Sequence, residues 1–338
     1  MELIELNAGM NYPVECGKAY VQLYLTDIFR KRLERAQVAV ITDREVSGYY
    51  MSDFVCQFER IGIKPVVIVI DGSQTSKSLD SVRDAFERLT DVEFSRSDLL
   101  FAMGGGGVID IAAFVAATYQ KGIEYVQIPT SLLAMVDSSI SPDAFLNFQS
   151  HKNQIGVSSK PIHVVIDTDY LRTLPPRFQA NGIAQVIQCG LLDNPDLLAY
   201  LVSPQVDMLR LIDTCIQAKK RIIMANPVFL TFGQEIAEAI EGHFRFLKYT
   251  HGEAMALGMR ALFQTDALRN LYEQYGLPLT VTGVTKDTLL NRMIKNYENK
   301  TEEVALVRLR LEGSPFVDMV PTSEMAGTYD KLLSGICQ

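Results

Sequence analysis

Four consecutive glycines, Gly104, Gly105, Gly106 and Gly107, constrain this chain more than any other feature. An apolar run at 99–103 precedes them, and the stretch that follows, 109–119, is apolar nearly all round. A short apolar run closed by turn residues reads as a strand covered on both faces. A helix apolar on every side reads as buried. Glycines between two such elements let the backbone approach a phosphate closely, and the helix behind them offers free N–H groups and its positive dipole end. The spacing is not GxGxxG, so the loop alone is a moderate signal, and a tight strand-to-helix turn is the alternative reading.

Four more runs share this character. Residues 38–42 end at Asp43, 65–70 at Asp71 and Gly72, 125–128 at Pro129, and 163–166 at Asp167. Between them Phe54, Phe58 and Ile61, and then Leu79, Val82, Phe86 and Leu89, recur at helical spacing. Strands alternating with helices imply a mostly parallel, doubly wound sheet that binds ligands beyond its C-terminal strand ends. After residue 169 the pattern turns helical, at 178–189, 206–224, 233–243, 253–270 and 286–296, with one extended pair at 304–311 and 316–320. The expected architecture is an α/β, Rossmann-like domain over 1–168 and a helical domain over 169–338, with a small-molecule ligand in the cleft between them. A length of 338 residues suits two domains.

The charge balance, 32 basic minus 40 acidic residues or −8, argues against gripping nucleic acid or an anionic membrane by bulk field. Cys16, Cys56, Cys189, Cys215 and Cys337 are odd in number and form no CxxC, so no disulfide framework is expected. The first residues carry Glu2 and Glu5 and no basic segment, unlike a signal peptide, and the apolar runs are too short to span a bilayer. A cytoplasmic protein without nucleic-acid or membrane partners is expected.

The glycine stretch leads into residues 127–134 (QIPTSLLA), 136–139 (VDSS), Lys152 and Asn153, and 166–177 (IDTDYLRTLPPR). Together these closely resemble the 3-dehydroquinate synthase family of NAD-dependent sugar-phosphate cyclases. The resemblance continues more weakly through Phe232 and Gly233, residues 239–241, and His251, Gly252 and Glu253. It implies bound NAD, which in that family oxidises a substrate hydroxyl before phosphate is eliminated, and a dimer of like or related chains. It further implies cofactor contacts at Asp43, Lys77, Gly104, Gly105, Gly106, Asp110, Thr130 and Ser131. Lys152, Asn153 and Asp137 match substrate-side positions. Near Lys77, Gln74 stands for the usual Glu.

Elsewhere the sequence departs from the family pattern. The AExxK stretch that supplies a zinc-ligating Glu reads Ala184, Gln185, Val186, Ile187, Gln188. The GHxxGHAIE helix begins Gly233, Gln234 and places Glu238 where the second, proton-handling His belongs. Of the metal positions Gln185, Gln234 and His251, only the last keeps its family residue. Two neutral amides and one imidazole bring no charge to offset the desolvation of a dication, so zinc is not expected. Gln234, Glu238 and Glu241 share a helical face, with His243, His251 and Glu253 near in sequence. A rearranged metal site is therefore one reading, and a polar face beside a partly buried His251 is the preferred one. In the phosphate pocket Asp143 replaces a lysine, residues 296–298 replace Asp-Lys-Lys, and the segment 219–234 is shorter than in the family. A carboxylate ~4 Å from a phosphate charge costs about 4 kcal/mol at an effective dielectric near 20. These losses suggest a diverged NAD(H)-binding enzyme that works without zinc on a substrate lacking the usual phosphate, with Lys152, Asn153, Asp137, Glu238 and His251 as its catalytic candidates. The alternatives are an inactive homologue serving as a partner subunit, and ordinary 3-dehydroquinate synthesis.

Overall fold

The computed structural model describes residues 2–5, 12–17, 29–34, 36–73, 76–149, 151–297 and 302–337. The chain divides into two units, Met1–Pro175 and Pro176–Gln338. The first keeps the 3-10 turn Thr168–Arg172, because Tyr170 packs edge-on against Tyr50 at 4.6 Å between ring centres. The division therefore falls at Pro175, beyond the expected residue 168.

The first unit is built on a seven-stranded sheet of order β1-β2-β9-β6-β5-β3-β4. Its strands are β1 (Glu2–Glu5), β2 (Pro13–Gly17), β3 (Val38–Asp43), β4 (Val66–Ile70), β5 (Leu99–Gly104), β6 (Glu124–Pro129) and β9 (His163–Asp167). All neighbours run parallel except β1 and β2. A separate hairpin pairs β7 (Asp143–Phe148) with β8 (His151–Ser158). The helices are α1 (Arg30–Leu33), α2 (Arg44–Glu59), α3 (Leu79–Asp91), α4 (Gly106–Thr118) and α5 (Leu132–Val136). Strand β5 is buried at every position, as its unbroken apolar run requires, whereas edge strand β4 leaves Val69 49% exposed. Ser78 starts α3 by accepting the Ser81 amide, and Val82, Ala85 and Leu89 then line its buried face. Helix α4 buries Ile109, Ile111, Ala112 and Val115 on several sides at once, packed on β5, α3 and β7. That packing holds its first turn fixed at the C-terminal end of β5.

The sequence reading lacked β1, β2 and the β7–β8 hairpin. Strand β8 alternates exposed and half-buried residues and carries no apolar run.

The second unit is mainly helical: α6 (Pro176–Leu192), α7 (Pro195–Leu201), α8 (Met208–Ala225), α9 (Gln234–His243), α10 (His251–Leu262), α11 (Asp266–Tyr275), α12 (Lys286–Tyr297) and α13 (Thr322–Leu333). It also holds the antiparallel hairpin β10 (Glu303–Leu309) and β11 (Pro315–Pro321), close to the extended pair expected there. The stretch read as one helix over 253–270 is two. Phe263 turns extended after α10, and the Thr265 hydroxyl accepts the Leu268 amide to start α11. Helices α9 and α10 pack closely because Gly233 and Gly258 meet backbone to backbone, where a Cβ on Gly258 would collide with the Gly233 carbonyl. Among the described residues no helix is long and apolar enough to cross a membrane.

Candidate functional site

The turn from β5 to α4 is glycine-lined for identifiable reasons. A Cβ on Gly104 would lie 2.6 Å from the Cβ of Val108, and one on Gly107 would lie 2.9 Å from the Gly72 carbonyl oxygen. At Gly106 a Cβ would meet the Ser138 hydroxyl at 2.7 Å, and at Gly105 the Ser131 hydroxyl at 3.6 Å. Gly105 caps α4 without a side chain, and the first bond of the helix returns the Ile109 amide to the Gly105 carbonyl. The amides of Gly106, Gly107 and Val108 therefore precede the helical ladder and face outward at the positive dipole end. A bare backbone with free N–H groups fits a pyrophosphate.

Other expected residues gather around this turn. The Thr130 amide donates to the Gly104 carbonyl at 2.9 Å, and Ser131 caps α5 by accepting the Ala134 amide. Asp43 caps α2 with one oxygen, which accepts the Val46 amide at 2.9 Å, while its side chain packs on Gly72, itself against Gly107. Its second oxygen has no partner among the described residues and is available to a hydroxyl.

Beside the turn lies a charged cluster. Lys77, only 3% exposed, makes an ion pair with Asp110 on α4 and donates to Asn153 Oδ1 at 2.9 Å. The Lys77 carbonyl accepts the Asn147 amide at 2.8 Å, and the Asn147 side chain accepts the Asn153 amide at 3.0 Å. Asn153 holds φ of +54°, a left-handed conformation that Asn tolerates better than most residues, at an irregularity in the hairpin between Leu146 and Phe148. The bulge aims its amide at Lys77. Burial pushes the Asp110 carboxyl up, the Lys77 ammonium and the Phe145 amide offset part of that rise, and the Asp137 charge adds to it. Lys77, Asp110, Asn153 and Asp137 thus share one electrostatic neighbourhood. Lys152 is half-buried beside Asn153 on β8, and its carbonyl accepts the Gln154 side-chain amide. Asp143 begins β7 on an exposed position. Gln74 and Glu298 lie outside the described residues, as do the side chains of Asn296 and Tyr297.

In the second unit the two glutamines of α6 are locked together. Gln185 donates to the Gln188 side chain, whose own Nε2 donates to the carbonyls of Leu230 and Phe232 at 3.0 Å each. On α9, Gln234 donates to Glu238 at 2.8 Å. His251 at the start of α10 meets buried Glu241 through Nδ1 at 3.3 Å. The grouping of Glu253 with these residues that a rearranged metal site would need does not form among the described residues. Arg177 grips both Glu253 oxygens at 2.7 Å, and the Thr250 amide bonds the same carboxylate in a capping box. Among the described residues no three His, Cys, Asp or Glu side chains are grouped to hold a metal ion.

Lys219 on α8 escaped the sequence reading. It is 5% exposed and shares its helix face with Leu211, Cys215, Ala218 and Ile222. A lysine in an apolar helical stripe was the available signal.

The fold defines a two-unit protein whose first half is Rossmann-like, with a glycine turn at the C-terminal end of β5. The family model for the 3-dehydroquinate synthase N-terminal region matches residues 67–181, and that for the C-terminal region matches residues 182–299. The chain belongs to the 3-dehydroquinate synthase family. It is 32% identical over 326 residues to the 3-dehydroquinate synthase of Streptococcus suis, covering 89% of this chain and 92% of that one. To the enzyme of Clostridium acetobutylicum it is 29% identical over 353 residues, covering 96% and 98%. The fold is shared with 2-epi-5-epi-valiolone synthase of Streptomyces hygroscopicus, solved with NAD+ and Zn2+ bound, at TM-score 0.84, 20% identity and coverage of 96% and 97%. It is also shared with 2-deoxy-scyllo-inosose synthase, solved with carbaglucose-6-phosphate, NAD+ and Co2+, at TM-score 0.83, 22% identity and coverage of 98% and 99%.

Proposed function

We propose that this chain binds NAD(H) on the β5–α4 turn and transforms, without the zinc of its family, a polyhydroxy substrate that lacks the usual phosphate. One contrast carries the reading. The cradle and the Lys77–Asp110–Asn153 cluster keep the family's residue types, while two family metal positions hold carboxamides already engaged as donors. Amide oxygens and one imidazole are a poor donor set for zinc, which takes thiolate, imidazole or carboxylate. Bound NAD supplies a hydride acceptor for a carbinol carbon. The α4 amides hold its pyrophosphate and the free oxygen of Asp43 takes a ribose hydroxyl. Lys152, Asn153 and Asp137 orient the substrate.

Without a Lewis acid, the proton of the oxidised hydroxyl needs a base. His251 Nδ1 lies 3.3 Å from the Glu241 carboxylate; in the tautomer that carries its proton on Nδ1, the imidazole donates to Glu241 and Nε2 is its basic nitrogen. Glu238, held by Gln234, is the second carboxylate nearby in sequence. The test is activity on two substrate classes. Phosphate release from the family's seven-carbon phosphate substrate is expected to be absent. NADH formation with unphosphorylated polyols is expected, and is lost in Lys152→Ala and His251→Ala. Phosphate release by the parent, abolished by Lys152→Ala, would restore the ordinary family reaction.

A further inference from the structure

A second polar site lies at the far end of α9. Gln234 and His243 are nine positions apart, which is about 13 Å along a helix. Beside His243, Thr288, Asn291, Arg292 and Lys295 of α12 line a pocket of about 340 Å³. Positions 288, 291, 292 and 295 recur at three- and four-residue spacing, so they form one face of the helix. Among the described residues the pocket carries two cationic side chains, two neutral hydrogen-bonding side chains and an imidazole, and no carboxylate.

Arg177, Arg221 and Arg308 of the same unit each hold a carboxylate, and Lys286 on the same helix holds Asp330. Arg292 and Lys295 have no carboxylate partner among the described residues, in a chain whose net charge is −8. Arg292 is also placed rather than loose. Its guanidinium lies against Gly242, where any Cβ would collide with Nη2, so the absence of a side chain on α9 lets the fork settle over the backbone. The negative end of α9 is covered. The carbonyls of Ile240, Glu241 and Gly242 accept the amides of Phe244, Phe246 and Arg245, so they are engaged within the turn.

We infer that Arg292, Lys295 and His243, with Thr288 and Asn291, form a binding site within the second unit for a phosphate dianion, free or carried as a phosphomonoester. A planar guanidinium fork and an ammonium lining one pocket suit a tetrahedral oxyanion. The neutral side chains complete the oxygen partners without adding charge.

Calorimetric titration of the intact protein at fixed ionic strength tests this, with inorganic phosphate in one series and a hexose 6-phosphate in the other. Saturable binding is expected, weakened roughly tenfold by Lys295→Gln and again by Arg292→Gln, since each removes one charge-assisted contact. Lys295 is exposed, so its substitution leaves the melting temperature unchanged and separates binding from folding. Equal affinity in the two series identifies free phosphate as the ligand, and tighter binding of the ester identifies a phosphorylated metabolite. No saturable binding in either series overturns the site. Binding that is unchanged in the Lys295→Gln, Arg292→Gln protein, or that vanishes in Lys152→Ala, also overturns it.

Discussion

Replacing Asp110 with Asn tests whether the buried pair beside the glycine turn is an ionised unit. The lysine side chain is 4% exposed and the aspartate 16%. Removing one member of a buried pair strands the other charge, at a cost of about 3–5 kcal/mol. Two features pull this case to the lower end. Asp110 keeps some solvent, and Asn153 Oδ1 still accepts from Lys77 at 2.9 Å. A loss of about 3 kcal/mol follows, or roughly 6–12 °C in the melting temperature for a unit of this size. Adding Lys77→Met removes the stranded ammonium, so the double variant loses less than the two single losses summed, by roughly 1–3 kcal/mol. Differential scanning calorimetry of parent, both single variants and the double variant supplies the four values. Asp110→Asn within one degree of the parent, or strict additivity in the cycle, would refute the ionised pair.

Gly106→Ala separates cradle from fold. Its Cβ meets only the Ser138 hydroxyl, which can rotate away, so stability changes by less than about 1 kcal/mol, while NAD affinity measured by titration falls at least roughly tenfold because the methyl group stands where a pyrophosphate approaches. Gln188→Leu is expected to cost about 2–5 kcal/mol in urea unfolding, since it leaves the carbonyls of Leu230 and Phe232 without donors in a site 1% exposed. Glu253→Gln probes acid sensitivity. Burial alone would raise the Glu253 carboxyl, but the Arg177 fork and the Thr250 amide outweigh it and hold it below the usual range. A depressed carboxylate stabilises the fold above its unfolded pKa and loses that contribution as pH falls through the folded value. Arg177 is half exposed, so the substitution costs about 1 kcal/mol at pH 7, and the gap from the parent closes below about pH 4 in thermal melts.

Legibility in the sequence followed the apolar pattern. Strands β3 and β5 and helix α4 were readable because burial on every side writes an unbroken apolar run. The hairpin β7–β8 was not, because its second strand has solvent on alternate residues and carries polar side chains such as Lys152 and Asn153. The family resemblance marked Lys77, Asp110 and Asn153 singly. Their contact depends on a left-handed Asn153 and a hairpin irregularity that no periodicity encodes. The three-residue spacing of Gln185 and Gln188 put both on one face of α6, where Gln185 donates to Gln188, but the acceptors of Gln188 lie on the 3-10 turn Pro227–Thr231 and at Phe232, about forty residues on. Lys219 and the Arg292 pocket were passed over because single cations on helices are common; burial sets Lys219 apart, and a shared pocket lining sets Arg292 apart.

The central claim, a nucleotide site kept while the metal site is changed, is tested most directly by native mass spectrometry of protein incubated with both NAD and zinc. One NAD per chain, lost in Asp43→Ala, and no zinc retained after buffer exchange are the expected results. One firmly held zinc per chain that disappears in His251→Ala, or a chain that binds no NAD at millimolar concentration, would contradict it.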